Sequence, residues 1–302
     1  MTAVAATECA ISARHGQVPS GVVDRLKSGA IVVLLVDVTD RREPALKPGQ
    51  WSGCVLRTIS GGQLAGSNRG DAVTHTAATL AFMRIAVVGG HGQVARRLHP
   101  VLVRGGHVPV ALVRRAGYRE ELEGQGAQVR QLDIERDDAN AFGAAFEGCD
   151  AVVFAAGGGP DGNVERKRTV DLEGSLKSIA GAKKAGIRRF VQVSAINVDD
   201  SLPAGTGEVW RAYVEAKRDA DAALRSSGLD WTIIRPGRLT DDPGTGLVSL
   251  GPDIPRGDVP RADVATVLAD VLACDDTIGH QWNLVSGCTP IAEAVQRASR
   301  TR

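Results

Sequence analysis

Seven consecutive residues, Gly89-Gly90-His91-Gly92-Gln93-Val94-Ala95, are the first place in this chain where residue types and spacing suggest chemistry. They follow the apolar run Arg84–Val88 and open a helical pattern. A bound phosphate needs backbone that can approach closely and N–H groups without partners. Glycine permits the first, and a helix N-terminus supplies the second together with the positive end of its dipole. The small Ala95 lets the helix pack tightly on its strand, so the strand–turn–helix context predicts a dinucleotide site rather than a bare turn. His91 lies inside the loop and could meet a pyrophosphate, or simply solvent.

The next strand ends in Arg114 and Arg115. A carboxylate here would serve an unphosphorylated ribose and repel a 2′-phosphate, whereas a guanidinium can hold that phosphate through paired hydrogen bonds. NADP(H) is therefore expected in preference to NAD(H), the alternative being two solvated arginines. Asp133 could accept from an adenine amino group with Ile134 against the ring, or cap the helix that begins in Asp133–Asp138. Ala155, Ala156 and Gly157 end the fourth strand with small residues, which leaves room for a cofactor to lie across the strand ends.

These positions need a scaffold that brings strand ends together. Strand patterns fall at Arg84–Val88, Val108–Val113, Gln128–Leu132, Ala151–Ala155, Phe190–Val193 and Trp231–Ile234. Helical patterns lie between them, at Gly92–Arg104, Tyr118–Glu123, Ala139–Phe146, Val164–Ala185 and Val209–Ser227. This alternation predicts an α/β fold, a Rossmann-like doubly wound parallel sheet with right-handed crossovers. Residues 1–82 read differently. They are rich in Gly, Ser, Thr and Ala, and only Gly29–Val38 resembles a buried strand. Met83 is the second of two methionines, so residues 1–82 are expected to be a disordered extension or a mis-assigned start, and residues 83–302 the folded domain.

Composition narrows the function. With 36 Lys+Arg against 35 Asp+Glu the chain has no global charge for nucleic acid or an anionic membrane. The apolar run Ala30–Val36 falls well short of the roughly 20 residues that span a bilayer. Five scattered cysteines without C-x-x-C suggest neither a disulfide framework nor zinc. Cys149, before the fourth strand, reads as a small core residue. The chain lacks G-x-S-x-G and H-E-x-x-H, and Gly157–Gly162 lacks the Lys-Ser/Thr of a P-loop. A cytoplasmic protein with a small-molecule substrate and no metal is expected.

Further motifs carry a resemblance. They are GGHGQVA at Gly89–Ala95, DIERDD at Asp133–Asp138, VVFAAGGG at Val152–Gly159, RFVQVSAINV at Arg189–Val198, YVEAK at Tyr213–Lys217, SGLDWTIIRPGRLT at Ser227–Thr240, and the stretches Ile254–Leu272 and Trp282–Val295. With these, residues 83–302 resemble the atypical short-chain dehydrogenase/reductase superfamily, in its small NAD(P)H-binding branch often labelled epimerase/dehydratase-like or NmrA-like. The resemblance implies a small C-terminal substrate lobe. It puts the family's active tyrosine, lysine and serine on Tyr213, Lys217 and Ser194. Tyr213 and Lys217, at i and i+4, share a helix face, where a cation can favour the phenolate and also bind the nicotinamide ribose. Ser194 would hydrogen-bond the substrate oxygen. The turn at Pro236 and Gly237 would meet the carboxamide, with Arg235 pairing a carboxylate beneath it. Mainstream members carry an asparagine for a proton-relay water on the preceding helix. Here the nearest residue is Asp171, a departure that weakens the catalytic reading. Asp263 reads as a helix-start residue.

The leading expectation is an NADP(H)-dependent oxidoreductase acting on a small carbonyl or quinone-like substrate. A redox sensor or assembly factor that only binds NADP(H) is the rival from another class. A sugar-nucleotide epimerase or dehydratase is the rival within it, weakened because about 65 residues follow the Pro236-Gly237 turn. A homodimer is what the superfamily analogy allows.

Overall fold

A computed structural model describes residues 82–159 and 162–300. Residues 1–81, with the Gly29–Val38 strand reading and all but the last residue of the expected extension, lie outside the described residues.

The elements run β1 (Arg84–Val88), α1 (Gln93–Arg104), β2 (Val108–Val113), α2 (Arg119–Gly124), β3 (Gln128–Gln131), α3 (Ala139–Ala145) and β4 (Ala151–Phe154). The second half continues with α4 (Val164–Arg166), a π-helical segment (Lys167–Leu172), α5 (Glu173–Lys184), β5 (Arg189–Val193), α6 (Glu208–Arg225) and β6 (Asp230–Pro236). The last part holds β7 (Arg238–Thr240), β8 (Leu247–Gly251), β9 (Asp258–Pro260), α7 (Arg261–Leu272), β10 (His280–Ser286), β11 (Thr289–Pro290) and α8 (Ile291–Arg300).

The main sheet has nine strands in the order β11-β8-β10-β6-β5-β4-β1-β2-β3. Strands β1 to β6 and β10 run parallel, and β8 and β11 join antiparallel. Such strands are buried on both faces, so their side chains alternate between two apolar layers. Ile85 and Val87 pack with Leu98 and Leu102 of α1 and Val264, Leu268 and Val271 of α7. Ala86 and Val88 pack on the other side with Phe142 of α3, Ile179 of α5 and Leu224 of α6. Cys149 joins that second layer, buried.

Two expectations change. The single helix expected over Val164–Ala185 is broken by the π segment at Lys167–Leu172. The part after β6 also does more than form a lobe. It adds β8, β10 and β11 to the main sheet, and only β7 and β9 form a separate two-stranded sheet. Asp263 lies in the first turn of α7, a helix-start residue as expected. Its carboxylate accepts the N–H groups of Thr245 (3.0 Å) and Gly246 (2.9 Å), fastening the loop before β8 to the helix.

Candidate cofactor groove and active site

The chain leaves β1 and turns toward β2, and leaves β4 and turns toward β5. The sheet order therefore reverses between β1 and β4, and the carboxyl ends of these strands border a crevice. Gly89 and Gly90 occupy its floor. Gly89 has φ +78°, and a Cβ there would lie 2.8 Å from Ala156 Cα. A Cβ on Gly90 would lie 2.9 Å from Ala111 Cα. Both positions therefore exclude any larger residue. Gly92 is the N-cap of α1, and its own N–H closes the turn onto Gly89 O at 2.7 Å. No side chain caps α1 and no acidic residue stands in its first turn, so its N–H groups are left for an incoming anion.

Gly89, His91, Gly92, Arg114, Asp133, Ile134, Ala155, Ala156 and Gly157 line one groove of about 240 Å³. Other sequence candidates lie around it rather than in its wall. Val94 is buried in the core, and the Gln93 carboxamide accepts from Arg96 and Arg97. Arg115 donates to the Tyr118 hydroxyl at 3.3 Å. Pro236 belongs to β6, and Gly237 is required by packing, because a Cβ there would overlap Gly257 O at 2.0 Å. Asp133 is not the helix cap. It lines the groove, while its carboxylate accepts the Glu135 N–H at 3.1 Å, and the cap of α3 is Asp138.

Behind the groove wall lies a buried charged pair. Lys217, fully buried on α6, lies 3.2 Å from Asp171 Oδ1. Its Nζ also donates to Val193 O (3.2 Å) and Ala156 O (3.4 Å), so the ammonium touches the groove wall itself. Asp171 Oδ2 accepts the Gly158 N–H at 2.8 Å. Asp171 sits in the π segment, a local widening of the helix often found at functional positions. Within the same segment Lys167 Nζ donates to Gly159 O. The segment thus turns two charged side chains onto the Gly157–Gly159 loop. Burial opposes a charge on Lys217, but Asp171 and Tyr213 more than reverse it and hold the ammonium above its ordinary range. For Tyr213 the balance runs the other way. Burial raises the phenol above its ordinary value of 10.0, and Lys217 offsets this only in part because Asp171 and Asp221 oppose it. The expected lowering of the Tyr213 phenol is therefore not what the geometry produces.

Ser194 also differs from its expected use. Its hydroxyl is buried and donates to Asp221 Oδ2 at 2.7 Å. Asp221 further accepts from Gln192 Nε2 (2.7 Å) and Arg235 Nε (2.9 Å). Arg235 reaches on to Asp199 at 2.6 Å, pairing carboxylates beneath the turn as its position suggested. In this network Ser194 is a fixed part of the wall, with its proton already engaged. Asp221 went unrecognised from sequence, although it stands four residues after Lys217 on the same helix. Tyr118 was also missed. Its ring stacks on His91 at 3.6 Å, and His91 Nε2 meets Glu121 at 3.0 Å.

A family model described as NAD(P)H-binding matches residues 89–275, from the glycine turn to past α7. The chain belongs to this NAD(P)H-binding family. A Bacillus subtilis (strain 168) protein named an uncharacterized sugar epimerase, YhfK, is 37% identical over 216 residues, covering 71% of this chain and all of that one. A candidate NAD-dependent epimerase/dehydratase from Bacillus halodurans has a solved structure that is 40% identical, with TM-score 0.66 over 71% of this chain and 99% of its own. The oxidoreductase ylbE from Lactococcus lactis is 27% identical, with TM-score 0.63 over 71% of this chain and 96% of its own. The family match agrees with the atypical short-chain dehydrogenase/reductase resemblance and its Rossmann-like fold. Among the described residues no helix is long and apolar enough to cross a membrane.

A buried histidine of α1 braces the glycine turn. His99 is fully buried, and its Nε2 donates to Gly90 O at 2.7 Å. Burial lowers its pKa below 6.5, and the hydrogen bond to Gly90 offsets this only in part. A depressed folded-state pKa contributes stability that is complete above pH 6.5 and is lost as pH falls below it. Thermal melts are expected to shift downward between about pH 7.5 and pH 5, and His99→Gln to reduce that slope.

Proposed function

We propose that the chain is an NADP(H)-dependent reductase that transfers hydride to a small carbonyl or quinone-like substrate. The observation that carries this reading is Tyr213 on the same helix face as Lys217, whose ammonium meets the groove wall at Ala156 O. The groove fits a dinucleotide: the open N-terminus of α1 and the glycines that exclude a Cβ would take the pyrophosphate, Arg114 the 2′-phosphate, and Asp133 and Ile134 the adenine. When bound, the nicotinamide supplies the hydride pair that reduces the carbonyl carbon.

The rest is done by the protein. A phenol held above its ordinary pKa by burial is protonated at neutral pH, which suits a proton donor to the substrate oxygen more than a base. Trp210, exposed on α6 with its ring 5.3 Å from that of Tyr213 and the Arg256 guanidinium 5.7 Å from its centroid, offers an aromatic edge for a ring-bearing substrate. Lys217, pinned by Asp171, keeps a fixed cation behind the phenol and would hold the ribose. Two relatives support the reductase direction. An NAD(P)H azoreductase from Xenophilus azovorans is 28% identical over half of this chain, and an alkanoyl-oxo-dihydrofuranyl methyl phosphate reductase from Streptomyces griseus is 29% identical over 72% of it.

The test is calorimetric titration of the full chain with NADPH and then NADH, followed by a carbonyl and quinone screen. Binding of NADPH at least tenfold tighter than NADH, with turnover of a screened substrate, supports the reading. Binding without turnover favours the sensor, and turnover of a sugar nucleotide without net consumption of cofactor favours the epimerase named for the Bacillus subtilis relative. Arg114→Ala is expected to cut the NADPH preference about tenfold or more through loss of a charge-assisted contact.

A further inference from the structure

At the ribose end of the groove, two cations already hold an anion that belongs to the protein. Glu135 Oε2 accepts from Arg114 Nη1 at 3.2 Å. Glu135 Oε1 accepts from the Thr169 hydroxyl at 3.0 Å and lies 3.8 Å from Arg166 Nε. Arg114, Glu135 and Arg166 all line the groove, and none is deeply buried, their side chains being 48%, 29% and 34% exposed. A pair so exposed contributes little to folding, because solvent screens it and two long side chains must be ordered to form it. Its stabilising value cannot account for a carboxylate at this spot. Its effect on an arriving anion is larger. A phosphate monoester is an acceptor-only group of the same charge sign, and it seeks the same guanidinium N–H groups.

We infer that Glu135 is a specificity-determining residue, an internal anion that occupies the arginine site and must yield it before a 2′-phosphate can bind. The inference rests on the reading of the groove as an NADP(H) site. The carboxylate lowers the affinity for the phosphorylated ribose and leaves that for the unphosphorylated ribose unchanged. The chain's discrimination between the two cofactors is thus set below what its arginines alone would give. An ion pair that opens easily suits this role, since its displacement costs little and is repaid by a bidentate contact.

Two ligands isolate the effect, adenosine 2′,5′-bisphosphate and adenosine 5′-monophosphate, titrated against the full chain and against Glu135→Gln. Glutamine keeps the length and removes the charge. The expected result is bisphosphate binding about fivefold tighter in E135Q, monophosphate binding within about twofold, and a larger ratio between the two. Glu135→Ala, which leaves no side chain to orient Arg114, is expected to change the ratio in the same direction. An unchanged ratio overturns the inference, and a smaller ratio overturns it in favour of Glu135 as a support that positions Arg114. If the wild-type chain binds neither nucleotide, NADPH nor NADH, the groove reading itself fails and the inference fails with it. Binding with an unchanged ratio removes the inference alone.

Discussion

Tyr213→Phe is expected to slow reduction of the preferred carbonyl substrate by a factor of about 10²–10⁴ while leaving NADPH affinity within about twofold. The variant removes one oxygen and keeps the ring that packs 5.3 Å from Trp210, so the fold of α6 has no reason to change. What is lost is the phenol proton, which burial holds more tightly than in a free tyrosine. The pH profile carries a second check. Because the phenol is raised above 10.0, the wild-type rate of reduction should stay level through neutral pH and fall only in the alkaline range. Rates measured by NADPH absorbance, beside calorimetric affinities, give both numbers. Equal loss of binding and rate would make Tyr213 a binding residue. Full activity in the phenylalanine variant would remove it from the chemistry.

The second large effect concerns the buried pair. Asp171→Asn leaves the buried Lys217 ammonium with the carbonyls of Val193 and Ala156 and the face of Phe154 but with no carboxylate 3.2 Å away. Stranding a buried charge in this way costs about 3–5 kcal/mol, enough to lower the melting temperature by several degrees in a domain of this size. Lys217→Met alone should cost a similar amount, since it strands the carboxylate, of which only Oδ2 keeps a partner in Gly158 N–H. The double variant should recover part of the loss, because replacing both charges removes the penalty that each leaves behind in the single variants. Denaturant unfolding of the two single variants and the double variant measures the coupling. Simple additivity would mean that the pair contributes nothing beyond its separate parts. The same variants separate structure from function. Asn at position 171 should still accept the Gly158 N–H and keep the loop in place, so its cofactor affinity should fall less than that of the Lys217 variant.

The sequence made the first half of the molecule readable because its signals are local. Arg84–Val88 is an apolar run closed by glycines, and both observed bounds of β1 coincide with it. Val108–Val113 is likewise β2 as expected. What was missed depends on partners distant in the chain. The strands β8, β10 and β11 are of mixed polarity, and they extend the sheet from β6 through β10, a pairing that no pattern within one of them reveals. The network on Asp221 joins α6 to β5 and β6 and runs on through Arg235 to Asp199, and no periodicity within one element reveals these partners. Ser194 illustrates the difference. Its place at the end of β5 was legible, while the direction of its hydroxyl was set by a residue 27 positions away.

The π segment bears on how this chain should be aligned with its relatives. A helix that widens for one turn accommodates about one residue more than the α-helical path would over the same rise. Removing a single residue from Lys167–Leu172 would restore the regular ladder and rotate everything before it by about 100° relative to α5. Asp171 and Lys167 could then no longer both face the Gly157–Gly159 loop. Relatives that span this stretch one residue shorter should therefore lack the aspartate–lysine pair, and an alignment forced through without a gap would match Asp171 to a residue on the wrong face. The count of residues here, as much as their identity, sets where the pair can form.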